Sequence, residues 1–242
     1  MMYQASEGHK KFLDQLEEQL ASRFSEQQVK EIISFSSFYY ASASLDDLAE
    51  YRPDDLYGAT VSTWHFVQKY KRNEPKIRVY NPDFEQDGWQ STHTVVEVLQ
   101  NDMPFLVDSV TAALNQRGIN VHLVIHPVLY VERDDKGKHK CFHSTPKRGK
   151  QKGQAESFMH FEVDEQGDPD ILADIEREIH HVLEDVRAAV TDWKPILGQV
   201  DKIVEKLRKS PPKLEKAEID EGVALLEWMA DNHFTFLGFR EY

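Results

Sequence analysis

Three histidines, two aspartates and one cysteine are the side chains here whose types and spacing invite a chemical reading. His122 and His126 stand four residues apart in Val121-His122-Leu123-Val124-Ile125-His126, and His160 stands in Phe158-Met159-His160-Phe161-Glu162-Val163. Together they suggest a zinc site, which needs three or four ligands converging on one ion. Both runs are short and β-branched or aromatic, so they read as strands. On a strand, four rises of roughly 3.3 Å separate His122 from His126, too far for one ion. Satisfied or solvent-facing histidines are expected, and no metal site. Asp102 and Asp108 resemble an acid–base pair, but an N-cap and an exposed helix position account for them more simply. Cys141 lies among Lys and His residues that lower a thiol pKa, yet no third group orients it as a nucleophile. His180 and His181 diverge by about 100° on a helix and are expected on its surface. No catalytic residue is expected.

Cofactor and polyanion chemistry fare no better. No Gly-x-Gly pair occurs among the 11 glycines, so the backbone cradle of a dinucleotide fingerprint or P-loop is missing and no cofactor-binding residue is expected. A formal charge of −13 repels nucleic acid and anionic membranes. The basic cluster Lys147, Arg148, Lys150 and Lys152 sits in a polar stretch from Arg133 to Glu156 that reads as a solvated loop. With one cysteine no internal disulfide can form. No apolar run approaches the roughly 20 residues of a membrane span, and no signal segment opens the chain. Cytoplasm is the expected location.

The element that must position these residues runs from Thr94 to Asp134 and reads as strand, helix, strand. Thr94 to Leu99 and Val121 to His126 are the strands. Between them Leu106, Val110, Ala113 and Leu114 recur at helical spacing. Asp102 suits the N-cap, Pro104 the first turn and Gly118 a left-handed stop. A crossover of this length makes the two strands parallel neighbours or near neighbours. Lys76 to Tyr80 alternates as a strand expected to pair antiparallel with the first of them, and Phe158 to Val163 alternates as another. Asp168-Pro169 opens a long helix with a stripe through Leu172, Ile175, Ile179, Val182, Val186 and Val190. A break is expected at Trp193-Lys194-Pro195, then a second helix to Ser210-Pro211-Pro212, then one from Ala217 to Asp231. The apolar run ending at Tyr242 reads as the first strand of a further domain. Upstream, two helices between Glu7 and Ala43 meet at a Ser25/Gln28 capping box. A third follows Pro53, with Leu56, Thr60, Trp64, Val67 and Tyr70 inward.

Certain runs resemble known families. Asn101-Asp102-Met103-Pro104-Phe105-Leu106-Val107 resembles the strand-to-helix loop of ACT domains, small βαββαβ modules that often bind amino acids and regulate metabolic enzymes. Met103 to Val110, Ile125-His126-Pro127-Val128, Asp185 to Val190, Asp192-Trp193 and the closing Asn232 to Tyr242 resemble the N-terminal region of large bacterial NAD-specific glutamate dehydrogenases. The fold this implies is α+β, a ferredoxin-like (ACT-type) antiparallel or mixed sheet with helices on one face, preceded by an α-helical N-terminal segment. Residues 1–75 form that segment, 76–193 the ACT-like domain, and 194–242 a helical linker and the start of a next domain. A helix follows the second sheet helix where ACT modules place their last strand, so Ile77 to Tyr80 is expected to fill that edge.

The function implied by the resemblance is a non-catalytic regulatory or assembly segment of an enzyme that converts glutamate to 2-oxoglutarate. NAD binds the parent enzyme and no cofactor binds this segment. The partners implied are the rest of the parent chain, a second copy in a homo-oligomer and an amino-acid effector. The alternative is an amino-acid sensor with its ligand at Asn101, Asp102, Met103 and Phe105 and at the Gly118, Asn120 turn. Phe105 stands where amino-acid-binding ACT domains commonly carry glycine. Finally, if Leu123, Ile125, Met159 and Phe161 face the sheet helices, then His122, Val124, His126, Phe158 and His160 face the other way. That mixture needs a cover, expected from the N-terminal helices, with the contact weakening as neutral histidines charge below about pH 6.5.

Overall fold

The computed structural model describes residues 7–49, 51–143, 153–234, 236, 238 and 240. It divides into two compact units, one ending at Val182 and one beginning at Leu183. The first unit opens with helices α1 (Glu7–Ala21), α2 (Glu26–Tyr39), the short α3 (Leu45–Ala49) and α4 (Pro53–Val67). The Ser25 hydroxyl accepts from the Gln28 amide at 3.4 Å while the Gln28 side-chain oxygen accepts from the Ser25 amide at 3.2 Å, forming the expected capping box. Pro53 occupies the first turn of α4, where no amide partner is needed, and the five inward residues expected there are buried. Gly58 lets α4 press on the turn that closes α5 (Phe84–Asp87). A Cβ at Gly58 would stand 2.4 Å from the Gly88 carbonyl oxygen.

Six strands form one antiparallel sheet: β1 (Lys76–Tyr80), β2 (Thr94–Asn101), β3 (Val121–Ile125), β4 (Val128–Arg133), β5 (His139–His143) and β6 (Gln154–Val163). β6 is central. β2 pairs along one of its edges, and β3 and β4 pair in succession along the other, on either side of Pro127. β2, helix α6 (Leu106–Gln116) and β3 therefore form a split β-α-β unit whose strands flank β6 as near neighbours, the ferredoxin-like arrangement. β1 pairs antiparallel with β2 at the outer edge, as expected.

Alternation along β6 turns Phe158, His160 and Glu162 to one face and Met159, Phe161 and Val163 to the other, and all six are buried. The N-terminal helices cover the first face. Phe35, Tyr39, Trp64, Phe66 and Val67 join Leu99, Ile125, Leu129 and Phe158 in one apolar cluster, with Tyr39 edge-on to Phe158 at 5.6 Å. The buried stripe of α6 (Leu106, Val110, Ala113, Leu114) and that of the first turns of α7 (Pro169–Lys209; Ile175, Ile179) belong to the second face. An ion pair of Arg117 Nε with Glu178 at 2.9 Å ties the two helices together. Leu114 is 1% exposed. Leu114→Ala is expected to destabilise the fold by about 2 to 5 kcal/mol through lost burial and the cavity left behind. A urea midpoint equal to wild type would contradict this.

The second unit comprises the remainder of α7, then α8 (Lys216–Trp228) and one π-helical turn, Met229–His233. Arg208 Nη2 donates to Glu227 at 2.7 Å, joining α7 to α8, and Ser210-Pro211-Pro212 ends α7 as expected.

Four expectations need correction. Helix α6 starts at Leu106, so Asp102 is not its N-cap and Pro104 lies outside it. The Asp102 amide instead donates to Ala155 O at 3.1 Å, extending the β2–β6 ladder by one bond. The stretch from Arg133 is not all loop. Asp134 Oδ1 accepts the Lys136 and Lys138 amides, Gly137 turns left-handed, and His139–His143 returns along β4. Cys141 is thus a half-buried strand residue. No break occurs at Pro195, because one missing N–H and one ring clash are tolerated inside α7. Lastly, β3 is out of the expected phase. Ile125 pairs with His160 and Val124 with Phe161, with a bulge between Val121 and Leu123. Leu123 and Ile125 therefore face the N-terminal helices. The basic cluster at Lys147 to Lys152 lies outside the described residues, as does much of the expected strand before Tyr242.

Candidate functional site

Glu97 sits at the centre of an apolar strand, and alternation turns it under the N-terminal helices. Register sets it beside Arg78 on β1 and His160 on β6. An unpaired carboxylate there would cost several kcal/mol in desolvation, so its neighbours are specific. Arg78 Nε donates to Oε2 at 2.8 Å, with Nη2 on the same oxygen, and Thr63 Oγ1 donates to Oε1 at 2.7 Å. His160 bridges two acids, with Nδ1 3.6 Å from Glu97 and Nε2 3.5 Å from Glu162, separations that are ionic rather than hydrogen-bonded. Glu162 also accepts from the Tyr51 hydroxyl and lies 3.3 Å from His93 Nδ1.

Burial alone would push the pKa of His160 down. The carboxylates of Glu162 and Glu97 outweigh that and raise it to about 9, so the ring is a cation at neutral pH. Burial likewise favours the neutral acids. It is overcome for Glu97 by His160, Arg78 and Thr63, and for Glu162 by His160, Tyr51 and His93, which hold both below the usual carboxylate range. Two anions and two cations therefore cancel inside the fold. A second buried pair lies nearer the end of α4. Arg133 grips Glu156 with two bonds of 2.7 Å and donates to the carbonyls of Val67 and Gln68 at 3.0 and 3.2 Å. Lys76 donates to Phe66 O at 2.5 Å, so cations meet the negative end of the helix.

One edge of the charge network reaches solvent through a cavity of about 250 Å³. Tyr51, Arg52 and Asp55 come from the start of α4 and the residues before it, Gln90 to His93 from the loop before β2, His122 from β3 and Glu162 from β6. Arg52 grips Asp55 through Nε at 2.6 Å and Nη2 at 3.1 Å, and the Gln90 amide donates to the same carboxylate at 3.2 Å. The rings of His93 and His122 lie 4.6 Å apart. His122 Nε2 meets Asp164 Oδ1 at 2.7 Å, and Asp164 Oδ2 accepts the Asn120 amide and side chain at 2.9 and 2.7 Å.

The expected ligand residues fall into two groups. Asn101, Asp102, Met103 and Phe105 lie at the N-terminal end of α6, and Gly118 and Asn120 at the other end. Eleven residues separate the ends, about 16 Å of helix. Asn101 accepts from the Tyr70 hydroxyl at 3.0 Å and donates to Asn73 at 2.7 Å. Burial raises the Asp102 pKa and lowers that of nearby His126, whose Nε2 lies 2.7 Å from the Ser157 hydroxyl. Phe105 adopts φ 71°, the left-handed conformation that favours glycine, with its ring half exposed. Gly118, at φ 75°, ends α6 as expected. Among the described residues no group of three His, Cys, Asp or Glu side chains is placed to hold a metal ion. No described helix is long and apolar enough to cross a membrane. Sequence reasoning missed Glu97, Arg78, Thr63, Tyr51, Arg52 and His93. The available signal was a lone acid inside each of two apolar strand runs, Glu97 and Glu162, with His160 two residues before the latter.

Residues 35–179 match the family described as glutamate dehydrogenase, ACT1 domain. The chain is 43% identical over 231 residues to the NAD-specific glutamate dehydrogenase of Halomonas elongata and 40% identical over 231 residues to that of Pseudomonas aeruginosa. These alignments cover 95% and 96% of this chain but 14% of each relative. The Mycobacterium tuberculosis NAD-specific glutamate dehydrogenase is 27% identical over 147 residues, 60% of this chain and 9% of its own. The chain therefore spans about one-seventh of the length of the first two relatives. With the matched stretch holding the whole sheet and more than half of the residues, the chain belongs to the glutamate dehydrogenase ACT1-domain family.

Proposed function

We propose that this chain is a non-catalytic regulatory or assembly segment at the N-terminal end of a large, cytoplasmic NAD-dependent glutamate dehydrogenase. The parent enzyme converts glutamate to 2-oxoglutarate, with NAD bound elsewhere in its chain. The carrying observation is identity of 40 to 43% sustained over almost the whole chain to proteins of that name, of which it makes up 14%. In this reading 1–75 covers the sheet, 76–193 is the ACT-like core and 194–242 leads into the next domain. The rest of the parent chain is the first partner, and a second copy in a homo-oligomer the next. The purified chain is expected to form no NADH from glutamate and NAD and to show no NAD binding by calorimetry. Sustained NADH production by the pure chain would overturn the reading.

A second reading, an amino-acid-binding ACT module, draws support from Phe105. Its backbone, at φ 71°, adopts a conformation that glycine takes readily, and glycine is the residue commonly found there in ligand-binding members of the resembled group. In that case the ligand lies at Asn101, Asp102, Met103 and Phe105 or at Gly118 and Asn120. The distance between the two groups favours the first reading. Calorimetric titration with amino acids, repeated on Asp102→Asn, tests the second.

A further inference from the structure

Helix α8 leaves much of its apolar surface in solvent. Ile219, Val223 and Leu226 recur at helical spacing as its inward row, yet Val223 is the one buried side chain of the helix. Leu225 and Trp228, three residues apart, turn to the opposite side and are each more than half exposed. So are Leu214 before the helix and Phe234 after it. Of the ten large apolar side chains exposed among the described residues, these four fall in the short stretch from Leu214 to Phe234, so the exposure is concentrated on one hairpin. Single exposed apolar residues are ordinary, whereas a contiguous group marks an interaction surface. The Trp228 ring is also held in place. It stacks on the His233 ring at 4.7 Å with 20° between the planes, and His233 Nδ1 lies 3.0 Å from Trp228 O. Phe234 meets Phe236 edge to face at 5.3 Å. An aromatic side chain already fixed loses little rotamer freedom on association, as an interface anchor requires.

We propose that Leu225, Trp228 and Phe234 form a docking surface for the part of the parent polypeptide that follows Tyr242, which meets them with an apolar patch flanked by Lys or Arg. The inference rests on the N-terminal placement given under the proposed function. The chain accounts for 14% of the Halomonas elongata and Pseudomonas aeruginosa relatives, so a parent of that kind holds most of its polypeptide outside these residues. Charge selects among the occupants. Helix α8 carries Glu218, Asp220, Glu221 and Glu227 against Lys216. A second copy of this helix, or an anionic membrane, would meet it with like charge, whereas a patch bordered by Lys or Arg is attracted. Position along the chain favours the same occupant. Phe234 is close to Tyr242 in sequence, and a short tether holds a partner at an effective concentration on the order of millimolar.

The test is hydrogen exchange of the α8 amides, compared between this chain and the full-length parent enzyme. Exchange is expected to be at least about tenfold slower in the parent, where docking opposes local opening of the helix. Leu225→Gln and Trp228→Gln, each placed in the parent, should return α8 to within about twofold of its rate in the chain alone. In the chain alone Leu225→Gln should leave the melting temperature unchanged, because the side chain is exposed there. Phe84→Gln, at a similarly exposed aromatic on α5, should leave the protection of α8 in the parent intact. If one α8 variant unfolds the parent, seen as faster exchange throughout, the other carries the comparison. Equal exchange in chain and parent, or protection that survives both α8 substitutions, would overturn the proposal. So would protection that appears in the chain alone as its concentration rises, which would put a second copy on this face. No turnover is needed for the measurement. A parent that forms no NADH from glutamate and NAD would refute the functional reading and leave the docking result standing.

Discussion

Glu97→Gln is expected to destabilise the protein by about 3 to 5 kcal/mol, the cost of breaking a buried ion pair while leaving its partners in place. Glutamine can still accept from Thr63, but Arg78 and His160 then face a neutral group at a fully buried position. The loss should appear as a lower urea midpoint with an unchanged slope. Pairing it with His160→Gln should recover part of the loss, because the second change removes one of the stranded cations. Strict additivity of the two would show that they do not share a network. A midpoint within error of wild type for Glu97→Gln alone would show that the carboxylate is dispensable.

The pH profile of stability is expected to peak near pH 6.5 and to decline on both sides. His160 has a folded pKa of about 9, above the unfolded value near 6.5. Its contribution is therefore fully present below pH 6.5 and is lost as pH rises through 9, on the order of 3 kcal/mol in all. His139 behaves in the opposite sense. Burial, helped by Arg133 and Lys138, lowers its pKa to about 4. The unfolded chain then takes up a proton that the folded one refuses, and stability falls as pH drops from 6.5 towards 4. Glu97 and Glu162, depressed in the fold, add to the acid limb below about pH 4.5. His160→Gln should flatten the alkaline limb and weaken the Glu97 and Glu162 part of the acid one, leaving the His139 part in place. A wild-type urea midpoint constant from pH 6.5 to 9.5 would refute the assignment of His160 as a buried cation. The expected weakening of this face on charging its histidines is thus reversed at His160, because Glu97 and Glu162 lie on either side of it.

Much of this architecture follows from local chemistry. The Ser25/Gln28 box, Pro53 and Gly118 mark helix ends through backbone groups within a few residues, so sequence spacing alone places them. The strand-helix-strand unit and the two-residue alternation of β6 are likewise properties of single segments, as is the stripe on α6. The N-terminal cover was legible because aromatic stripes and a half-apolar sheet face each need a partner, and one chain contains both.

What the sequence could not determine depends on register between segments far apart in the chain. A slip of one residue exchanges the two faces of a strand, and the bulge between Val121 and Leu123 sets that phase for β3. The same registers bring Glu97, Arg78 and His160 from three strands to one point, where Thr63 reaches Glu97 from 34 residues away and Tyr51 reaches the neighbouring Glu162 from 111. Whether a histidine is a buried cation or a buried neutral ring depends on those neighbours rather than on its own strand. His160 and His139 both sit in strands and are both buried, yet they titrate in opposite directions, because one faces carboxylates and the other faces arginine and lysine.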